Sequence, residues 1–291
     1  MSGPSRPASL LDAGTPGGVY LCQVSEGVSC GACCGLYNLA DCSRDNLAQL
    51  LRTRSLRFAG VPRTVEAIEN FAHQTLRREP QQRPFEGFHH CPFLGWIEDG
   101  PGRVGCLLHP LAEANRGVDY RGLSYYGGLA CRSYFCPTTH ALSPRFKEIV
   151  RSTAADWYAY GLVITEQELL EEIFRMIELR LQHRLGPASF SGLPAARQAL
   201  TDLLGLKIDW PFRPPYWNTP CHYFFKENRR PKPPIDYQRL GAPPSVFDSL
   251  LRELVSDFSS LDRLRLAEQM LERALQHVVR ELQRTPAGEN L

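Results

Sequence analysis

Apolar positions return every three or four residues through much of this chain, and where they do the pattern predicts helix. Leu169, Leu170, Ile173, Phe174, Ile177 and Leu181 fall on one helical face. Thr165-Glu166-Gln167-Glu168 has the form of a capping box at the start of that helix, and Gly186-Pro187 stops it. A second long helix is predicted from Leu261 to Leu282, with a seam of Leu264, Leu271, Leu275, Val278 and Leu282. That seam is too short for a sustained coiled coil and reads as a face turned to a core. Upstream, Asp45 to Leu51 and Val61 to Leu76 are shorter helical stretches, the latter carrying Val65, Ile68, Phe71 and Ala72.

Strand patterns are confined to the first half. Gly18 to Val24 reads as a short strand. Cys91 to Ile97 and Val104 to Leu108 flank Asp99-Gly100-Pro101-Gly102, whose turn chemistry predicts a hairpin. Such a hairpin brings Cys91 and Cys106 toward each other at the ends far from the turn.

Between the long helices, Pro211 to Pro244 holds nine prolines with Trp210, Tyr216, Trp217, Tyr223, Phe224 and Phe225 in or beside it. So many prolines exclude a regular helix, and the aromatics predict a segment wrapped along the surface. The expected fold is α+β and mostly helical. A tail over 1–18 is expected to be disordered, followed by a small irregular Cys-rich metal-binding domain over 19–144. A helical domain follows over 145–291, with the wrap at 210–244.

Composition narrows the classes. Apolar residues at 43% and charged ones at 22% are ordinary for a globular protein and exclude wholesale disorder. A net charge of +2 gives no electrostatic case for nucleic acid or an anionic membrane as partner. The compact basic run Arg229-Arg230-Pro231-Lys232 reads as a solvated loop. No signal-peptide core precedes Gly18 and no run of about 18 apolar residues occurs, so a cytoplasmic location is expected. There, clustered cysteines are metal ligands or redox groups more often than disulfides.

Nine of the ten cysteines lie between Cys22 and Cys136, and three stand in Cys30-Gly31-Ala32-Cys33-Cys34. On an α-helical turn, positions i, i+3 and i+4 share a face, which suits a metal. Cys91, Cys106, Cys131 and Cys136 follow in three further motifs. Seven candidate ligands, Cys30, Cys33, Cys34, Cys91, Cys106, Cys131 and Cys136, exceed the four that one structural zinc takes. The surplus points to two zincs or to an iron-sulfur cluster with extra thiols. Adjacent Cys33 and Cys34 diverge on any regular backbone, so they need not serve one ion. Cys22, Cys42 and Cys221 read individually as small buried hydrophobes. His109 is a candidate ligand or orienting group, and Arg132 either steadies thiolate charge or forms a surface ion pair. His89 and His90 read as loop residues. Dinucleotide, phosphate-loop, zincin and serine-hydrolase motifs are all missing from the sequence.

These residues resemble the YkgJ-like cysteine-cluster family, zinc- or iron-chelating domains with a C-x-x-C-x-x-C-C signature. The matching pieces are Cys30-Gly31-Ala32-Cys33-Cys34, Cys91-Pro92-Phe93-Leu94, Cys106-Leu107-Leu108-His109-Pro110 and Cys131-Arg132 with Cys136 beyond, together spanning roughly 20–140. The first cysteine of the signature falls on Gly27, with Cys22 nearby, and the usual Arg-Pro before the last Cys-Arg falls on Gly127-Gly128. The resemblance implies metal chelation, with zinc or an iron-sulfur cluster as cofactor. A related signature in flagellin lysine methylases implies a rival reading, a metal-dependent redox or protein-modifying enzyme. A third is an interaction protein whose metal only staples the fold.

Overall fold

A computed structural model describes residues 8–25, 27–79, 82–97, 102–217, 219–220 and 231–284. Helix α1 spans Ala8–Ala13, and strands β1 (Gln23–Ser25) and β2 (Val28–Ser29) form an antiparallel pair. A 3-10 turn, Ala32–Cys34, leads to α2 (Arg44–Ala59) and α3 (Val65–Arg78). Strands β3 (Leu94–Trp96) and β4 (Val104–Cys106) follow, then α4 (Gly127–Ser133), α5 (Pro137–Ala141), α6 (Pro144–Thr153) and α7 (Trp157–Val163). The chain continues through α8 (Gln167–Leu181), α9 (Pro194–Gly205), α10 (Asp248–Glu253) and α11 (Leu261–Gln283). Helix takes up 52% and strand 4%, so the two small sheets act as clasps between segments and not as layers.

The apolar spacing explains the helical half. Leu169, Leu170, Ile173, Phe174 and Ile177 of α8 meet Leu264, Leu271, Leu275 and Val278 of α11 in one core, with Leu200 and Leu203 of α9 beside them. Each such fully buried side chain contributes roughly 1.5–3 kcal/mol. Helix α8 begins at Gln167, with Glu166 at its N-cap and no side-chain cap, so the expected Thr165 capping box does not form. Thr165 Oγ1 is buried without a hydrogen-bond partner, and the buried Glu166 carboxylate pairs with buried Lys207 at 3.1 Å.

A second core gathers Leu36, Tyr37, Leu47, Leu51, Phe58, Ile68, Phe71, Phe93 and Leu108. The division between the cores does not follow the sequence. Val19, Leu21 and Val28 pack in the helical core, whereas Trp157, Tyr158 and Leu162 of α7 pack in the other. Tyr160 and Val163 on the opposite side of α7 return to the helical core. Gly161 lets this helix lie against Tyr37: a Cβ there would stand 2.0 Å from the Tyr37 hydroxyl.

The first residues also differ from expectation. From Ala8 onward the chain is structured, because the Asp12 carboxylate accepts from Arg151 Nη1 at 2.8 Å and from the Tyr20 amide at 2.7 Å. In the proline-rich stretch, Trp210, Phe212 and Trp217 are buried and the Phe212 carbonyl accepts from Asp257 N at 2.9 Å. Tyr223, Phe224, Phe225, Cys221, Arg229 and Arg230 lie outside the described residues. Among the described residues, no helix is long and apolar enough to cross a membrane.

Candidate metal centre

The expected hairpin forms. Leu94 pairs with Cys106 and Trp96 with Val104, and Leu107 N donates to Phe93 O at 2.8 Å. Its turn, residues 98–101, lies outside the described residues. Cys91 then reaches back to the first motif, since its amide donates to the Cys34 carbonyl at 2.9 Å. Cys30 N donates to Cys22 O at 2.8 Å, and Gln23 Nε2 and Ser29 Oγ clasp Val104 O and Val104 N at 2.6 and 2.8 Å. Backbone bonding thus brings segments near Cys22, Cys30, Cys34, Cys91 and Cys106 into one neighbourhood.

Two polar side chains hold that arrangement, and neither was evident as such in the sequence. Asn38 Nδ2 donates to Phe85 O and Phe88 O at 2.8 and 2.7 Å, while its Oδ1 accepts from Phe85 N at 3.0 Å. Arg54, wholly buried in α2, donates to Cys91 O at 2.9 Å and to Glu79 Oε1 at 2.8 Å. It also meets His90 Nε2 at 2.7 Å, and His90 Nδ1 bonds Gly35 O at 2.7 Å. Because a carbonyl can only accept, Nδ1 carries the proton and Nε2 accepts from Arg54. Burial and the Arg54 charge hold His90 well below its ordinary pKa, so it is a neutral strut whose two ring nitrogens are both engaged.

The remaining cysteines come from the short helices. Cys131 on α4 sits 2.9 Å from Ser124 Oγ, and its carbonyl accepts from Arg121 Nη1 at 3.2 Å. Arg121 is anchored on Asp119, whereas Arg132 makes a half-exposed ion pair with the same carboxylate. Cys136 precedes α5 with its sulfur 3.3 Å from Thr139 Oγ1. The nine described cysteines are free thiols.

Burial and neighbouring charge shift seven of them as follows. Burial raises Cys22, Cys30 and Cys136, and in each case a charge on Cys33 raises the thiol further. Cys34 is raised first by donating its hydrogen bond to Cys33, then by burial and by charges on Cys33, Cys91 and Cys106. Its partner Cys33 is lowered by receiving that bond. Burial pushes Cys91 up to about 11, against the pull of Arg54 and with the aid of charges on Cys131 and Cys33. Cys106 is raised by burial and by charges on Cys91 and Cys131. The Ala32–Cys34 turn is 3-10 rather than α, and the two adjacent thiols stay within hydrogen-bonding reach of each other.

Other candidates fall at the margin. Cys42 is buried 3.6 Å from Thr219 Oγ1 and is raised by burial, as expected of a small hydrophobe. His109 accepts from Leu111 N on Nδ1 at 3.0 Å, and burial lowers it to about 4. His89 stacks on Tyr125 with ring centroids 3.4 Å apart, and burial lowers it too, to about 4. Its Nε2 is buried without a hydrogen-bond partner.

Among the described residues, no group of three or more His, Cys, Asp or Glu side chains is placed where it could hold a metal ion. What the site offers is donor chemistry: thiols from four segments, with Arg54, Arg121 and Lys147 close enough to act on their charge. Thiolates select zinc, copper(I) and iron-sulfur clusters over hard cations. Comparison with protein families, curated proteins and solved structures yields no match.

Proposed function

We propose that this protein holds zinc or an iron-sulfur cluster through its clustered cysteine thiolates, as the YkgJ-like resemblance implies. The observation that supports this is the bonding that draws the segments carrying Cys22, Cys30, Cys34, Cys91 and Cys106, all free thiols, into one neighbourhood. A core has no need of so many sulfurs in one place. As neutral thiols they are ordinary small apolar groups; as thiolates, beside Arg54, Arg121 and Lys147, they form a soft cationic-metal site.

Cys30, Cys33, Cys34, Cys91, Cys106, Cys131 and Cys136 would hold the metal, and the reduced state this requires belongs to the cytoplasm. A bound structural zinc contributes about 10–16 kcal/mol in small peptides, comparable to the whole stability of an ordinary domain. The clasps around the cysteines are only two- and three-residue strands, so metal would dominate their stability.

The test is metal analysis together with an absorption spectrum of protein purified without oxygen. Brown protein whose broad visible absorption bleaches on reduction identifies an iron-sulfur cluster, and colourless protein with stoichiometric zinc identifies a zinc site. Protein that carries neither, and takes up neither after reduction and reconstitution, overturns the proposal.

A further inference from the structure

We infer that Cys33 and Cys34 form a reversible dithiol-disulfide centre that reduces a hydroperoxide, with Cys33 the attacking sulfur and Cys34 the one that resolves it. The inference goes beyond the metal-binding reading and does not depend on it.

The turn that carries the pair keeps the two sulfurs together. Cys34 N donates to Gly31 O at 3.1 Å and Gly35 N to Ala32 O at 2.9 Å, closing the 3-10 turn over Ala32–Cys34. Its exit is fixed by Gly35 in the left-handed conformation and by the Cys91 amide, which donates to Cys34 O at 2.9 Å. Its entry is fixed by Gly31, where a Cβ would stand 3.0 Å from Val104 Cγ1. Between these anchors the Cys34 thiol donates to the Cys33 sulfur. Cys42, Cys131 and Cys136 are placed differently, each meeting a hydroxyl, of Thr219, Ser124 and Thr139 respectively. Both residues of the pair keep part of their surface open to solvent. An accessible cysteine poised beside a resolving one is the arrangement that redox-sensing thiols share.

The direction of the hydrogen bond sets the roles. A sulfur that receives such a bond carries negative charge better than the one that gives it, which makes Cys33 the nucleophile. It attacks one peroxide oxygen and the O–O bond breaks, leaving a sulfenic acid on Cys33. The other oxygen takes the Cys33 proton and leaves as water, or as an alcohol from an organic hydroperoxide. Cys34 then attacks the Cys33 sulfur: the S–S bond forms, the S–O bond breaks, and the oxygen departs as water with the Cys34 proton. The pair gives up two electrons and two protons, and the peroxide takes up both. Adjacent Cα atoms stand about 3.8 Å apart, short of the ~4.4–6.8 Å that a disulfide ordinarily spans. The closed ring is therefore strained and readily reopened, with a low-molecular-weight thiol as the reductant.

The experiment adds one equivalent of hydrogen peroxide to full-length, reduced, metal-free protein, then alkylates it and maps the peptides by mass. The expected result is the loss of two thiols per chain, Cys33 and Cys34, joined to each other, and their return on treatment with glutathione. The same addition in urea, where the turn is gone, should spread the loss over other cysteines. In Cys34→Ser the oxidation should stop at a sulfenic acid on Cys33, which a 1,3-dione captures. The inference is overturned if peroxide consumes no thiol, if other cysteines are lost first, or if Cys33 or Cys34 bonds to a different cysteine. The same pairing in urea as in the folded chain also overturns it, as does a Cys34→Ser chain with no sulfenic acid on Cys33. None of these outcomes bears on metal content, which is read separately, so the metal-binding reading stands or falls by its own test.

Discussion

Gly35 passes so close to His89 that a Cβ at position 35 would stand 1.9 Å from the His89 carbonyl oxygen. Its φ of 78° adds a backbone conformation that side chains disfavour. This contact seats the Cys33-Cys34 turn on the segment leading to Cys91. Gly35→Ala should therefore cost at least about 3 kcal/mol, combining positive-φ strain with a collision against rigid backbone. Urea denaturation measures the loss, and a shift below about 1 kcal/mol would contradict the close approach.

Arg54 is the buried hub beneath Cys91. Arg54→Met removes the charge that faces Glu79 and the donor that satisfies His90 and the Cys91 carbonyl, a loss of about 3–5 kcal/mol. Arg54→Lys should recover little, because one ammonium cannot match the planar fork's several directions. Thermal unfolding of the two variants distinguishes this from simple loss of charge, for which lysine would suffice.

Glu178 supplies a pH dependence far from the cysteines. Burial pushes its carboxyl up, but hydrogen bonds from Arg145 and from Leu185 N outweigh this, and the net pKa lies below the ordinary 4.5. The folded state thus favours the ionised form, so the contribution is complete above pH 4.5 and fades as pH falls through the depressed value. Glu178→Gln should cost about 1.5 kcal/mol at pH 7, at the low end for charged hydrogen bonds because both partners keep some exposure. The difference from wild type should shrink as pH falls below 4.5 in urea melts; a constant difference would mean that packing, not charge, is lost.

Metal removal should act unevenly. If bound metal holds the short clasps, chelation should open residues 85–140 to limited proteolysis while α8, α9 and α11 stay intact around their own core. Mass mapping of the first cuts reads this directly. Unchanged resistance of 85–140 after verified metal loss would show that the metal contributes nothing structural.

The sequence made some of this legible and hid the rest for physical reasons. Helices α8 and α11 have one wet face, so their period shows; the 91–108 hairpin shows through the turn residues at its tip. Helix α7 carries Trp157, Tyr158, Tyr160, Leu162 and Val163 buried on both sides, leaving no stripe to read, although Asp156 caps it by accepting from Tyr158 N and Ala159 N. Arg54 looks like any surface arginine until Glu79 and His90, distant in sequence, are placed against it. The 3-10 form of the Ala32–Cys34 turn, and the hydrogen bond between the adjacent Cys33 and Cys34 thiols, cannot be read from the spacing of the cysteines.

The Tyr37 hydroxyl donates to the Trp157 carbonyl across 120 residues, and this long tie has a consequence for how the chain is made. At roughly 5–20 residues per second, a ribosome needs about 6–24 s to produce α7 after the Cys33-Cys34 turn has been synthesised. Through that interval the thiols have emerged but the helix that seats their turn does not yet exist. Newborn chains therefore pass through a stage with open, unpacked sulfurs, when oxidation or capture of the wrong ion competes with completion of the fold.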